Sequence, residues 1–443
     1  MNKKIKFKRM GILIPYFAIL IVLMAGITYL TINGEKEIRS KNYKYFLTTV
    51  EVLKNCGGRV RSCDGDILWG PTFSGYRDCY NLVGDIKNPR IENSICVQNE
   101  NTLFNTDNYN VLQGKSSLIT SGEDVTLTLN HNLNKKMFDF LETQGVKTGS
   151  LLVMDRKTGK IRVAVSLPSA GPEDTMLEEG ALLNRNFMSA IPGSTMKIVT
   201  TVLLTEEDKQ NVLADETTQC NGSYRTKESE APITCATRRG EQNIYSALGY
   251  SCNTYFAEQI EKHLNINSEE VKKNLKKMGI ECGTEGSNID VDGIKISGSY
   301  ANFSGSGFSS TWSLIGEGEV GMNPIQMCRI VAAITNKGVA ATPHLLEGRQ
   351  LTQEDFMEAD VAEKVFNIWK TGFDTYYKGY DSKVTLAKTG TAEYDGNVES
   401  KLLVGYIESA DLVFFLELRD FNSDQITTRD VVNEFCSNLN EQN

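Results

Sequence analysis

The chain has 443 residues, 40% hydrophobic and 23% charged, so it is globular rather than disordered and long enough for two or three domains. Its formal net charge is −9, which gives no support for nucleic-acid binding, since that wants a basic face.

Near the N-terminus, "NKKIKFKR" carries five positive charges in eight residues, and Met10 to Ile32 then runs 23 residues without a charge. That run is long enough to cross a hydrocarbon core of about 30 Å. A cleaved signal peptide has an apolar core of only about 7–15 residues and a small-residue cleavage site, and neither fits. The expectation is an uncleaved single-pass anchor over residues 10–32 behind a cytoplasmic tail of residues 1–9. Because the basic cluster precedes the anchor, everything after Asn33 is expected outside the cytoplasm, on the cell membrane's outer side.

Residues 35–55 read as helical or linker-like. Residues 56–128 are rich in Gly, Asn and Asp, as in "GGRVRSCDGDILWG", which predicts short strands and turns. Val125, Leu127 and Leu129 alternate as in a strand, and Leu133, Met137, Phe138 and Leu141 follow at helical spacing. "SLLVMDRKTGKIRVAVSLP" is a hairpin signature: apolar runs at 150–155 and 161–166 flank a turn ending in Gly159. Residues 185–340 read as mostly helical with loops, including "IYSALGYSCNTYFAEQIEKHL" and "GMNPIQMCRIVAAITNKG". Strands return in "KVTLAKTGTAEY", "KLLVGYIE" and "LVFFLELRD", and "TTRDVVNEFCSNL" closes the chain as a helix. Strands at both ends, with helices between and after, predict an α+β fold in which helices cover one antiparallel sheet.

The ten cysteines include no C-x-x-C pair, so zinc ribbons and fingers are not expected, and neither is a metal or other cofactor. Outside the membrane, pairs such as Cys56/Cys63 or Cys220/Cys235 could form disulfides; in a reducing habitat all stay thiols.

The chemistry begins at "IPGSTMKIVT". Pro192 and Gly193 precede Ser194, and the apolar run that follows describes a buried helix whose first turn holds Ser194. Lys197 is three residues on and therefore on the same face. The positive end of the helix dipole favours a developing serine alkoxide, but the serine still needs a base. The three histidines, His131, His263 and His344, sit far apart and none marks a triad. A lysine serves only when neutral, and at its ordinary pKa roughly one in 2,500 is neutral at pH 7. Burial and a second cation both push that pKa down, so the site asks for another lysine. S-x-x-K occurs once, but K-T-G occurs four times, at Lys147, Lys157, Lys370 and Lys388. Context separates them. Lys147 and Lys157 flank the first hairpin strand, where Gly149 and Gly159 serve turns, and Gly372 after Lys370 helps end a helix. Only Lys388 follows an alternating strand and continues as "TGTAE". S-x-N occurs at Ser40 and Ser251, and Ser251-Cys252-Asn253 lies between two helical segments.

Ser194-Thr195-Met196-Lys197, Ser251-Cys252-Asn253 and Lys388-Thr389-Gly390, in that order, resemble the three motifs of penicillin-binding proteins and serine β-lactamases. "LLVMDRKTGKIRVAVSLP" is similar to the opening hairpin of a transpeptidase domain, and "IGEGEVGMNPIQMCRIVAAITNKG" to the glycine-rich segment and helix before its third motif. "GGRVRSCDGDIL" and "VTLTLNHNLNKKM" resemble landmarks of the N-terminal pedestal of class B, monofunctional transpeptidases. The resemblance implies a pedestal over residues 33–130 and a transpeptidase domain with an all-helical subdomain over residues 131–443.

It also implies roles. Ser194 would be acylated, Lys197 would take its proton, and Ser251 would relay a proton to the leaving amine. Asn253 would hold the substrate's amide and Lys197. Lys388 would lower the pKa of Lys197 and, with Thr389 and Thr391, orient the substrate carboxylate. Gly390 would let substrate approach the strand, and the N–H groups of Ser194 and Thr391 would form an oxyanion hole. Cys252 is read as structural or incidental. The implied function is a membrane-anchored peptidoglycan D,D-transpeptidase that β-lactams trap covalently, with an integral-membrane glycosyltransferase as partner. Three rivals share the motifs: a D,D-carboxypeptidase, a serine β-lactamase and a non-catalytic β-lactam sensor or scaffold. A β-lactamase needs a base for deacylating water and usually lacks an anchor and pedestal, and a nine-residue tail leaves little room for signalling.

Overall fold

The computed structural model of the protein describes residues 19–29, 57–104, 122–227, 231–304, 307–394 and 398–439. The chain divides into two compact units, one of residues 1–58 and 100–123, the other of residues 59–99 and 124–443.

In the first unit, residues 19–29 form a helix whose Ile19, Leu20, Ile21 and Val22 side chains are exposed. The rest of the predicted anchor, 10–18 and 30–32, lies outside the described residues, as do 33–56 and therefore Cys56. Among the described residues no helix is long and apolar enough to cross a membrane. Gly58 N donates to Leu103 O, joining the chain to the short helix Glu100–Phe104.

The second unit is built on a five-stranded antiparallel sheet. Its strands are β1 (Thr148–Asp155), β2 (Ile161–Leu167), β3 (Val384–Tyr394), β4 (Val398–Ile407) and β5 (Leu412–Arg419), in the order β3-β4-β5-β1-β2. β1 and β5 are buried along almost their whole length, because helices cover both faces, so their sequences read as continuous apolar runs. On one face lie α1 (His131–Thr143) and the C-terminal α7 (Thr428–Leu439), joining Leu133, Met137, Phe138, Val432 and Phe435 to Leu151, Val163, Phe414 and Leu416 in one core. Each such side chain, fully buried, contributes about 1.5–3 kcal/mol of hydrophobic free energy. On the other face α5 (Pro324–Thr335), buried nearly all round, packs on β1, β4 and β5.

The predicted α1, hairpin, α5, α7 and the three closing strands are all present. Residues 185–340 differ from the expectation of helices and loops. They hold α2 (Lys197–Glu207), α3 (Ile244–Tyr250) and α4 (Asn253–His263), but also strand pairs 218–220 with 240–242 and 223–224 with 233–234, and a small sheet spanning 280–301. These strands are two to eight residues long, too short or too polar for alternation to stand out. Two glycines also differ. Gly149 lies inside β1, where a Cβ would fall 2.7 Å from the Glu417 carbonyl oxygen of β5. Gly372 lies inside α6 (Ala359–Tyr376), which runs another turn past it. A Cβ there would meet Tyr245 O at 2.9 Å, so this glycine admits α3 against α6 rather than ending the helix.

Residues 59–70 form a small sheet in which Val60–Arg61 pairs with Ile67–Trp69 and, in parallel, with Val125–Thr126. His131 at the start of α1 ties this sheet down: its Nδ1 lies 2.7 Å from Asp66 Oδ2 and its Nε2 3.4 Å from Asp78 Oδ1.

Candidate active site

Ser194 sits in a tight 3-10 turn, Gly193–Met196, that runs directly into α2. The turn is wedged among backbones. Gly193 has φ +51°, and a Cβ on it would lie 2.3 Å from Thr391 O of β3. A Cβ on Gly316 would lie 1.7 Å from Gly193 O, so the "IGEGEVG" loop closes the other side. Gly390 serves the same packing: its missing Cβ faces Pro192 O and the Thr195 methyl, both at 3.1 Å.

Lys197, one helical turn on, is fully buried, and its Nζ lies 2.6 Å from Ser194 Oγ. Its ammonium also donates to Ile315 O at 3.4 Å. Burial lowers the Lys197 pKa to about 8, while negative charge on Cys235, then on Glu317 and Cys252, opposes that fall. Glu317 is pushed the other way, up to about 7, because its own burial outweighs the attraction of Lys197. At about 8, roughly one Lys197 in ten is neutral at pH 7, against one in 2,500 for an ordinary lysine.

The second motif is a hinge between helices. α3 starts at a capping box, with Asn243 accepting from Ser246 N and Ser246 Oγ accepting from Asn243 N. It ends at Ser251, which takes the left-handed conformation at φ +60°. α4 begins two residues later. Lys388 Nζ donates to Ser251 Oγ at 3.0 Å and to Thr389 O at 2.6 Å. Lys388 is likewise fully buried, and burial, with the Lys197 charge second, holds its pKa well below the usual lysine range. Asn253 is placed differently from expectation: its Nδ2 donates to Thr234 O at 2.8 Å.

The third motif lies along β3, held from behind by α6. Tyr377, just beyond α6, accepts from Thr389 N at 3.1 Å, and its hydroxyl is 3.1 Å from Thr389 Oγ1. Trp369 Nε1 donates to Ala387 O at 3.0 Å. Thr391 Oγ1 accepts from Lys401 Nζ at 3.3 Å. A cavity of about 450 Å³ opens beside Ser251 and Thr389, with Arg239, Tyr250, Tyr376 and Lys378 in its walls.

Ser194, Lys197, Ser251, Lys388, Thr389, Gly390 and Thr391 therefore meet around one turn and one strand. Glu317, Tyr377 and Lys401 join them, and no sequence pattern marked these three. The "IGEGEVG" string placed Glu317 in a familiar segment, but only the fold brings it toward Lys197. All nine described cysteines are free thiols. Cys220, Cys235 and Cys252 come together beside the Ser251 turn instead of forming the Cys220/Cys235 pair that the sequence allowed.

A serine hydroxyl against a buried lysine amine, at the junction of a helix start and the edge strand of an antiparallel sheet, is the arrangement that the motifs of penicillin-recognising folds would make. A family profile described as "Penicillin binding protein transpeptidase domain" matches residues 149–434, and the chain belongs to that family, among the class B penicillin-binding proteins. It is 26% identical over 313 residues to "Peptidoglycan D,D-transpeptidase PbpA" of Mycolicibacterium smegmatis, covering 62% of this chain and 61% of that protein. It is 28% identical over 233 residues to "Stage V sporulation protein D" of Bacillus subtilis, covering 51% and 34%. The chain thus spans about 61% or less of these curated relatives. Among solved structures, the imipenem acyl-enzyme complex of penicillin-binding protein A from M. tuberculosis superposes with a TM-score of 0.72 at 16% identity, over 88% of this chain and 99% of that one. The D,D-transpeptidase domain of a peptidoglycan glycosyltransferase from Eggerthella lenta superposes with a TM-score of 0.67 at 19% identity, over 87% and 98%. At these identities the superpositions speak for the fold.

Proposed function

We propose that the protein is a membrane-anchored peptidoglycan D,D-transpeptidase. The observation that carries this reading is the buried Lys197 Nζ 2.6 Å from Ser194 Oγ, with the Lys388–Ser251 pair beside it. Neutral Lys197 accepts the Ser194 proton as Oγ attacks the carbonyl of the penultimate D-Ala of a stem peptide. The N–H groups of Ser194 and Thr391 stabilise the oxyanion. Ser251, in contact with Lys388, passes a proton to the departing D-Ala amine. Asn253, fixed by Thr234, receives the substrate's amide, and Lys388, Thr389 and Thr391 orient its carboxylate. An amine of a neighbouring stem then attacks the Ser194 ester and completes the cross-link. A β-lactam mimics the donor and stays on Ser194. The D,D-transpeptidase name of the mycobacterial relatives supports this reaction class.

Residues 10–32 serve as the anchor, residues 1–9 stay cytoplasmic and the catalytic domain faces outward. Residues 33–130 act as the pedestal of the transpeptidase domain, 131–443, and as the surface that, with the anchor, meets an integral-membrane glycosyltransferase. The reaction is tested by incubating the protein with a stem pentapeptide donor and an amine acceptor. Cross-linked product is expected. Release of D-Ala with only the free tetrapeptide formed would make the protein a carboxypeptidase.

A further inference from the structure

Three cysteine sulfurs converge beside the Ser251 turn. Cys220 ends the strand Thr218–Cys220, Cys235 follows the strand Ile233–Thr234, and Cys252 stands between Ser251 and Asn253. Their Sγ atoms all lie within 4.8 Å of one another, and those of Cys235 and Cys252 are 3.8 Å apart. Cys220 and Cys252 are 1% and 0% exposed, and Cys235 is half-buried. The Thr254 hydroxyl completes the cluster, 3.2 Å from Cys252 Sγ and 3.7 Å from Cys235 Sγ.

Three thiolates bound at about 2.3 Å to one tetrahedral zinc ion stand about 3.8 Å apart, so the cluster is already close to the size of a ligand set. The segment around it also lacks a core. Among the described residues from 215 to 242, Cys220 and Ile233 are the buried hydrophobic ones. The strands there are two or three residues long and pair only as two separate ribbons. Segments with so little apolar burial are held by staples such as a structural metal.

We propose that Cys220, Cys235 and Cys252 bind a zinc ion that fixes the Ser251–Asn253 turn. On binding, the three thiols give up their protons to solvent. Three thiolates leave the fourth tetrahedral position to water, with the Thr254 hydroxyl beside it. The ion acts on the motif through two short links: Cys235 is bonded to Thr254 N through its sulfur at 3.4 Å, and its neighbour Thr234 holds the Asn253 amide. It is a positioning site, since nothing places the ion on the reacting atoms. Zinc binding stands apart from the proposed transpeptidase activity; only its effect on acylation rests on that reading.

The test uses the full chain, purified without chelator. About one equivalent of zinc is expected by elemental analysis. Replacing it with Co²⁺ should give a thiolate-to-cobalt charge-transfer band that saturates at one equivalent. The band should be lost in Cys220→Ser and Cys252→Ser and kept in Cys282→Ser, whose thiol is exposed elsewhere. Chelation should lower the unfolding midpoint and slow penicillin acylation, and added zinc should restore both. No zinc and no cobalt band in the wild-type protein would overturn the proposal, whatever the variants do. So would a band that survives Cys252→Ser, or a native peptide map in which Cys235 is disulfide-linked to Cys252. Acylation unchanged by chelation would overturn the positioning role.

Discussion

In the proposed reaction burial is what makes Lys197 usable as a base, and the same burial sets how it responds to pH. With its pKa lowered to about 8, the neutral form grows as pH rises from about 6, is half of the total near pH 8, and levels off only above about pH 9–10. The rate of penicillin acylation should rise across that window and plateau; a flat profile would contradict the base assignment. Glu317, when charged, favours the Lys197 ammonium, so Glu317→Gln should move the rise to lower pH. Lys388→Ala should slow acylation by about 10²–10³, the size typical of losing one electrostatic group; unchanged kinetics would refute its role. The site was readable in part because Ser194 and Lys197 are one helical turn apart, so spacing alone puts them together. Lys388 was separable from three other K-T-G strings only by its strand. Glu317 was not readable, because the residues around it come from segments far apart in the chain; of the cysteine cluster only the Cys220/Cys235 approach was offered by the sequence, and Cys252 was not joined to it. Asn253 was expected to hold the substrate's amide and Lys197; its own amide nitrogen donates to Thr234 O, a contact that local pattern does not encode.

Among the elements, α6 does more than cover the sheet. It presses Gly372 against α3, whose C-terminal end sets Ser251, and the Tyr377 hydroxyl just beyond it fixes Thr389. A side chain at residue 372 would push α3 away from β3. Gly372→Leu should therefore destabilise the protein by about 1–3 kcal/mol through overpacking and should also slow acylation. Denaturant unfolding and penicillin acylation together check this; a variant of wild-type stability and rate would show that α3 is not held there. The sequence invites reading Gly372 as a helix stop because glycine is a common local terminator. Tertiary packing overrides that local meaning, as it does for Gly149 within β1. The long apolar strands and amphipathic helices were legible from periodicity. The short strands between 218 and 242 were not, since two or three residues carry no period.

At the scale of the whole molecule, the proposed reaction needs the catalytic domain beside its polymeric substrate. The uncharged run at 10–32 should supply that placement. Full-length protein is expected in the membrane fraction, released by detergent but not by salt or alkaline carbonate, and a chain starting at residue 33 should be soluble. A full-length protein washed off by carbonate would remove the anchor from the account. The central claim is that Ser194 is acylated with Lys197 as its base. Mass mapping after reaction with penicillin tests it most directly. The account predicts one adduct, on the peptide containing Ser194, absent in Ser194→Ala. An adduct on another residue, or labelling that persists in Ser194→Ala, would contradict it.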